Sequence, residues 1–405
     1  MSPGDPLVTA RRRRTMIATR SPCRATVLWW RAVLRKLHLW LGLAISIPLV
    51  ALGISGSILV YQPEIEALLA GTPPARTAGS PRPIAEIVAA ARSAAPEGVV
   101  PLLYLPPRDD RGAAVVRLVS LQPTRGPRLL DVHVDPVSLK VLQIRGGTRP
   151  LRPVFELHAD LLAGRAGREA VGWLGVMTLG MAASGLVLWW PRPGSWRRAL
   201  GVRRAARGRR LWRDLHGALG FWSLGLFVLV TFTGLHFVFA QPIRAAVARV
   251  LPVADGWRAA RLPASPGAEA RAIDADGAVA AALAAAPGAR LWALALPVRP
   301  DQGYSANLLP ERASPGAPAV TVTVDPRDGS VVDVRDPARL PAGERVLAWQ
   351  APLHRGVGLG PVYRFVIFLT GLLPLLFAAT GLAMWLLRRS PRRALMNAAS
   401  PTDRH

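Results

Sequence analysis

Apolar residues gather into four long runs along the chain, at 37–61, 171–190, 215–240 and 362–387, each of a length to cross a bilayer as a helix. Between the first two runs the pattern shortens. A helical period over 83–95 is followed by strand-like stretches at 99–105, 113–120 and 129–134, the turn Asp135-Pro136, and a further strand at 141–144. Between the third and fourth runs the plan recurs: an Ala-rich helix at 276–286, strands at 291–298, 305–309 and 320–324, the turn Asp325-Pro326-Arg327-Asp328-Gly329, and a strand at 331–334. The pattern predicts a membrane α-helical fold with four transmembrane helices and two small α+β domains.

Side chains repeat along with the pattern. Sliding the first run by 178 residues lays His38 on His216, Gly42 on Gly220 and Ser55-Gly56 on Thr233-Gly234. Sliding the second by 196 lays Leu157-His158 on Leu353-His354, Arg168 on Arg364, Ser184-Gly185 on Thr380-Gly381 and Trp189 on Trp385. A tandem duplication of one span–domain–span unit is expected. It divides the chain into a tail (1–30), helix (31–61), domain (62–160), helix (161–191), basic loop (192–213), helix (214–240), domain (241–355), helix (356–388) and tail (389–405).

Charge orients this arrangement. The net charge of +26 is sorted by segment and not gathered on one face, so nucleic acid is not the expected partner. Segments 11–36 and 192–213 each carry nine Arg or Lys and no acid, whereas the connections 62–170 and 241–364 each carry fourteen basic and eleven acidic residues. The positive-inside rule puts both termini and the 192–213 loop in the cytoplasm and both domains outside, in contact with membrane lipid through the spans. The N-terminal Arg11–Arg14 and first run read as an uncleaved anchor. Cys23 is the single cysteine, which excludes internal disulfides, cysteine-held zinc, iron–sulfur clusters and covalent haem attachment through paired cysteines. Any metal falls to histidine.

Five histidines stand at the span ends. An ionisable side chain at membrane depth is costly and marks a candidate functional site. His38 and His216 begin spans on the cytoplasmic side; His158, His354 and His236 belong to the outer side. A single Leu-His at a span entry can equally be an amphipathic ring at the interface, as the Trp29, Trp30, Trp189, Trp190 and Trp385 belt is. The fourfold recurrence favours ligation. Gly56, Gly185, Gly234 and Gly381, each after Ser or Thr, suit close helix packing and can also make room for a flat macrocycle. Arg168 and Arg364 read as interfacial anchors or as partners for propionates. His133, on a strand, and His405, the last residue, read as solvated.

The order of an LH-x-x-LG span, a helix–strand domain ending in V-D-P, an LH before the next span and an SG-L-V-L-W exit resembles the PepSY-associated transmembrane proteins, over roughly residues 31–392. That family includes inner-membrane ferric-siderophore reductases. The resemblance implies PepSY-like outer domains and two b-type haems, at positions here matching His38, His216, His158 and His354. Symmetry pairs His38 with His216 and His158 with His354. Depth offers His236 as an alternative outer ligand, because His158 and His354 precede the apolar cores of their spans by about ten residues. No G-x-G-x-x-G, P-loop or H-E-x-x-H is present, so electrons would come from a separate donor. The expected function is a bacterial inner-membrane di-haem b electron-transfer protein reducing a ferric siderophore or similar ferric chelate. The alternative is a haem-free anchored PepSY protein that binds periplasmic peptidases or cell-wall enzymes.

Overall fold

The computed structural model describes residues 22–71, 77–108, 112–120, 129–146, 150–253, 273–299 and 301–388; the far N-terminus and the 389–405 tail with His405 lie outside the described residues. In chain order the elements are α1 (Pro22–Val60), α2 (Gln62–Ala70), α3 (Ile84–Ser93), β1 (Val99–Leu105), β2 (Ala114–Ser120), β3 (Leu129–Val134), β4 (Val141–Gly146), α4 (Arg152–Asp160) and α5 (Gly164–Trp189). After the short α6 (Trp196–Ala199) follow α7 (Gly208–Val238), α8 (Ala240–Ala248), α9 (Ala275–Ala285), β5 (Ala289–Ala295), β6 (Tyr304–Pro310), β7 (Val320–Val324), β8 (Val331–Arg335), α10 (Ala342–Arg355) and α11 (Pro361–Leu386). Helix α1 begins at Pro22, inside the stretch expected to be an irregular tail. Helix α7 begins at Gly208, taking the end of the basic loop into the span. Arginine is a good helix former, so charge alone does not end a helix there.

Four helical segments, Trp29–Val60, Gly164–Trp189, Gly208–Val238 and Pro361–Leu386, are long and apolar enough to cross a membrane. They pack as a ring in which α1 touches α5 and α11, and α7 touches the same two. Helices α1 and α7 thus face each other across it. Small residues set the closest approaches: a Cβ on Gly53 of α1 would collide with the carbonyl oxygen of Gly371 in α11, and one on Gly175 of α5 would stand 2.7 Å from Leu235 of α7. Ser57 seals the first crossing by donating to the Phe368 carbonyl at 2.8 Å.

The strands form one eight-stranded antiparallel sheet in the order β4-β3-β2-β1-β5-β6-β7-β8. The two domains expected from the sequence therefore share a sheet. Their join is the β1–β5 pair, with Leu103 opposite Ala295 and Tyr104 opposite Leu294, which removes two exposed strand edges. Alternation buries Val116, Leu118, Val132, Leu294, Leu308 and Val322 on one face, against Ile87 and Ala91 of α3 and Ala278 and Ala282 of α9. The other face carries the Arg117–Asp131 ion pair and the Thr321–Asn307 hydrogen bond. Asp276 of α9 accepts the Ile84 and Ala85 N–H groups at 2.8 and 2.9 Å, capping the first turn of α3 from the other half of the chain.

Candidate functional site: two pairs of seated histidines

Four imidazoles are held at two levels of the bundle. At the end that carries the 190–207 connection, the loop end, His38 of α1 lies 2.8 Å through Nδ1 from Ser184 Oγ of α5. His216 of α7 lies 2.7 Å through Nδ1 from Thr380 Oγ1 of α11. Each hydroxyl already donates its proton to its own helix, Ser184 to the Met181 carbonyl at 3.1 Å and Thr380 to the Leu376 carbonyl at 2.7 Å. Both therefore accept from the ring. Nδ1 carries the proton, and Nε2 is left with a bare lone pair.

At the opposite, sheet end the rings come from the short helices α4 and α10. His158 Nδ1 donates to the Leu52 carbonyl of α1 at 2.9 Å, and His354 Nδ1 donates to the Val230 carbonyl of α7 at 2.9 Å. A helix carbonyl is normally shielded by the side chain one turn on. Here that residue is glycine: a Cβ on Gly56 would stand 2.8 Å from the His158 Cε1, and one on Gly234 would stand 2.9 Å from the His354 Cε1. Ser55 and Thr233 flank the two rings at 3.4 Å. The His158 and His354 ring centroids are 6.0 Å apart, with planes tilted by 42°.

Local structure fixes these two carriers. Helix α4 ends on Leu161 at φ 53°, followed by Leu162 at φ 62°, a left-handed pair unusual for leucine and worth about 1 kcal/mol of strain each. Helix α10 makes the same turn with Gly356 at φ 71°, where no such cost arises. Tyr363 of α11 donates to the Leu353 carbonyl at 2.8 Å, beside His354.

His158 and His354 are brought together, while His38 and His216 are seated across the ring from each other on α1 and α7. His236 joins neither pair: its buried Nδ1 has no hydrogen-bond partner among the described residues. The level of Val230, to which His354 reaches, is six residues before His236, roughly 9 Å further inside the span. The depth ranking drawn from the sequence is thus reversed, because α10 lies against α7 and does not merely lead into α11. His133 is half-buried on β3 opposite Gln143, where burial and nearby Arg145 lower its pKa.

Arg168 donates to the Phe237 carbonyl at 2.7 Å, and Arg364 donates to the Val60 carbonyl at 2.7 Å while pairing with Glu64 and covering the Tyr61 ring. Each guanidinium caps a span's end carbonyls, the anchoring role. Trp189 is half-buried, stacking on Phe221 at 4.5 Å beside Gly217, whereas Trp29 and Trp190 remain exposed. Among the described residues no cluster of three or more His, Cys, Asp or Glu is placed to hold a metal ion.

The sequence pattern of the PepSY-associated TM region matches residues 35–388. The chain belongs to this family. Membership makes it a membrane protein whose spans are associated with PepSY-type α+β structure, in keeping with the ring of four helices and the separate antiparallel sheet. No curated protein matches the chain.

Proposed function

We propose that this PepSY-associated membrane protein carries two b-type haems, one held by His38 and His216 and one by His158 and His354, and passes electrons across a bacterial inner membrane to a ferric siderophore. The observation that carries this reading is the hydrogen-bond pattern of the four rings. All four imidazoles spend Nδ1–H on a protein acceptor and keep Nε2 bare, and a hydrogen bond on the nitrogen away from the bound group is what orients a ligating histidine. The residues also fit in number. A porphyrin supplies four nitrogens of its own, so two imidazoles complete the iron where a bare ion would need more. His158 and His354, whose ring centroids stand 6.0 Å apart, are close enough that the two would hold one such group together.

The haem irons would supply one-electron transfer. The chain's own contribution is to seat the ligands, fix their tautomers and exclude water with the apolar spans. We read the two span–domain–span units as a tandem duplication, with the sheet outside the cytoplasm and the termini and Arg-rich loop within it. Electrons would enter from an unidentified donor at the loop end. At the sheet end, reduction weakens a chelate of hard oxygen donors, which holds Fe(III) much better than Fe(II).

The test is the colour of the full chain purified in detergent from haem-replete cells. A six-coordinate low-spin b-type spectrum with close to two haems per chain is expected. A colourless protein would overturn the reading in favour of a haem-free PepSY binding protein. Reporter fusions at Gly208 and the C-terminus should report cytoplasm, and fusions at Gly146 and Gly316 the outside.

A further inference from the structure

Helix α10 lies against α7, but the two do not close along their whole length. Between them runs a groove of about 520 Å³, walled by Leu229, Phe232 and Thr233 of α7 and by Val346, Trp349 and Leu353 of α10, with Arg345 at its mouth. The wall is almost wholly apolar. Gln350 also lines it, 4 % exposed, and its Oε1 has no hydrogen-bond partner among the described residues. The amide cannot be turned to hide this. Its Nε2 donates to the Val346 carbonyl at 3.0 Å, and a flipped amide would set two acceptors against each other. A buried acceptor left unpaired is costly, so a native site that keeps one calls for a partner.

From this groove we infer a binding site for a lipid-dissolved hydroquinone, whose ring hydroxyl donates to Gln350 Oε1 and whose ring lies between Trp349 and Phe232. The ligand must bring a hydrogen-bond donor, because the orphan atom is an acceptor. It must be largely apolar, because every other wall residue except Thr233 and the mouth Arg345 is. It must reach hydrocarbon depth: Leu229 and Thr233 lie nine and five residues inside the end of α7 at Val238, roughly 14 and 8 Å below it. Phospholipid headgroups stop short of that level, and Arg345 disfavours an ammonium. The oxidised quinone offers only acceptors and is refused by the same atom. The corresponding stretch of the first half is the nine-residue α4, too short to build such a wall, so the site is expected once per chain.

The inference goes beyond the haem reading, since binding requires no haem. The experiment is equilibrium binding of a decyl-substituted hydroquinone, its dimethyl ether and the corresponding quinone to the full chain in phosphatidylcholine nanodiscs, with haem content recorded on the same sample. The hydroquinone should bind saturably, about tenfold or more tighter than the ether or the quinone. Gln350→Leu should erase that preference, and Val346→Trp, which fills the groove from an exposed position, should remove binding of all three. Equal binding of hydroquinone and ether to the unaltered chain overturns the site whether or not a variant folds. So does a preference that survives Gln350→Leu, or displacement of the hydroquinone by phosphatidylglycerol. A colourless sample that still binds the hydroquinone would sink the haem reading and leave this one standing.

Discussion

The two histidine pairs meet one requirement, a donated Nδ1–H for each ring, with different acceptors. At the sheet end the acceptors are backbone carbonyls, Leu52 and Val230, uncovered by glycine one turn on. At the loop end they are the hydroxyls of Ser184 and Thr380. A carbonyl in a helix cannot rotate or donate, so it fixes the tautomer by itself. A hydroxyl fixes it only while its own proton is spent elsewhere, here on Met181 and Leu376. The sheet-end pair is therefore specified by backbone and steric fit, the loop-end pair by a two-step hydrogen-bond chain.

The largest effects expected separate the pairs. Replacing any of His38, His216, His158 or His354 by alanine should lower haem from two per chain to one. Potentiometric titration should show the same haem missing from His158→Ala and His354→Ala, and the other missing from His38→Ala and His216→Ala. His236→Ala should keep both. Two haems retained in both His158→Ala and His354→Ala would rule out the pairing.

A glycine-to-alanine series sharpens the comparison. An added Cβ would press on the His158 and His354 rings at 2.8 and 2.9 Å, on the His38 ring at 3.2 Å, and on nothing within 4 Å at Gly381. Overpacking of this kind costs about 1–3 kcal/mol. Gly56→Ala and Gly234→Ala should thus deplete the sheet-end haem, Gly185→Ala should shift the potential of the other, and Gly381→Ala should leave both unchanged. The hydroxyl variants should run the opposite way. Ser184→Ala and Thr380→Val remove the acceptors at 2.8 and 2.7 Å and should weaken loop-end haem retention about 10- to 100-fold. Ser55→Ala and Thr233→Val remove groups at 3.4 Å from rings already held at 2.9 Å and should change little.

Much of this frame is legible in the sequence, and the failures have physical causes. The short apolar runs expected as strands at 99–105 and 320–324 coincide with β1 and β7 to the residue; β7 alternates Val and Thr, while β1 is apolar throughout and is recognised by its length and β-rich composition. The recurrence of Ser-Gly and Thr-Gly was visible four times. Its meaning was not, because each pair seats a histidine 103 to 164 residues away, and pattern reading carries no long-range register. Helices α4 and α10 escaped within the expected domains 62–160 and 241–355, since short helices draw their stability from packing and not from a long apolar period. With them went the true level of His158 and His354. The β1–β5 join was equally hidden, as an apolar edge strand looks the same in sequence whichever strand it meets.

The smallest effect expected lies in the sheet, where the two halves again solve one problem differently. In each half the last two strands are joined by a V-D-P turn with a buried aspartate. Burial works against ionisation of Asp135, but hydrogen bonds from Thr77, Val137 and Ser138 outweigh it and hold the carboxyl well below the usual range. Asp325 is lowered chiefly by the side chain of Arg327, two residues away, against its own burial. In both cases the ionised form belongs to the fold. The stability it contributes is fully present above the unfolded carboxylate value of about 3.9 and is lost as pH falls through the lower folded value. The consequences should differ in reach. Protonating Asp135 releases Thr77, which lies in a segment 58 residues distant in the chain, whereas protonating Asp325 loosens only its own turn. Hydrogen–deuterium exchange on the full chain, expressed as protection factors at pH 7 and below pH 4, should show protection falling on acidification in peptides spanning 77–84 as well as 135–140 in the first half. In the second half the loss should be confined to 325–330. Asp135→Asn should produce the first pattern already at pH 7 and flatten its acid dependence; a protein whose 77–84 protection is unchanged by that substitution would show that Thr77 is held by something other than the carboxylate.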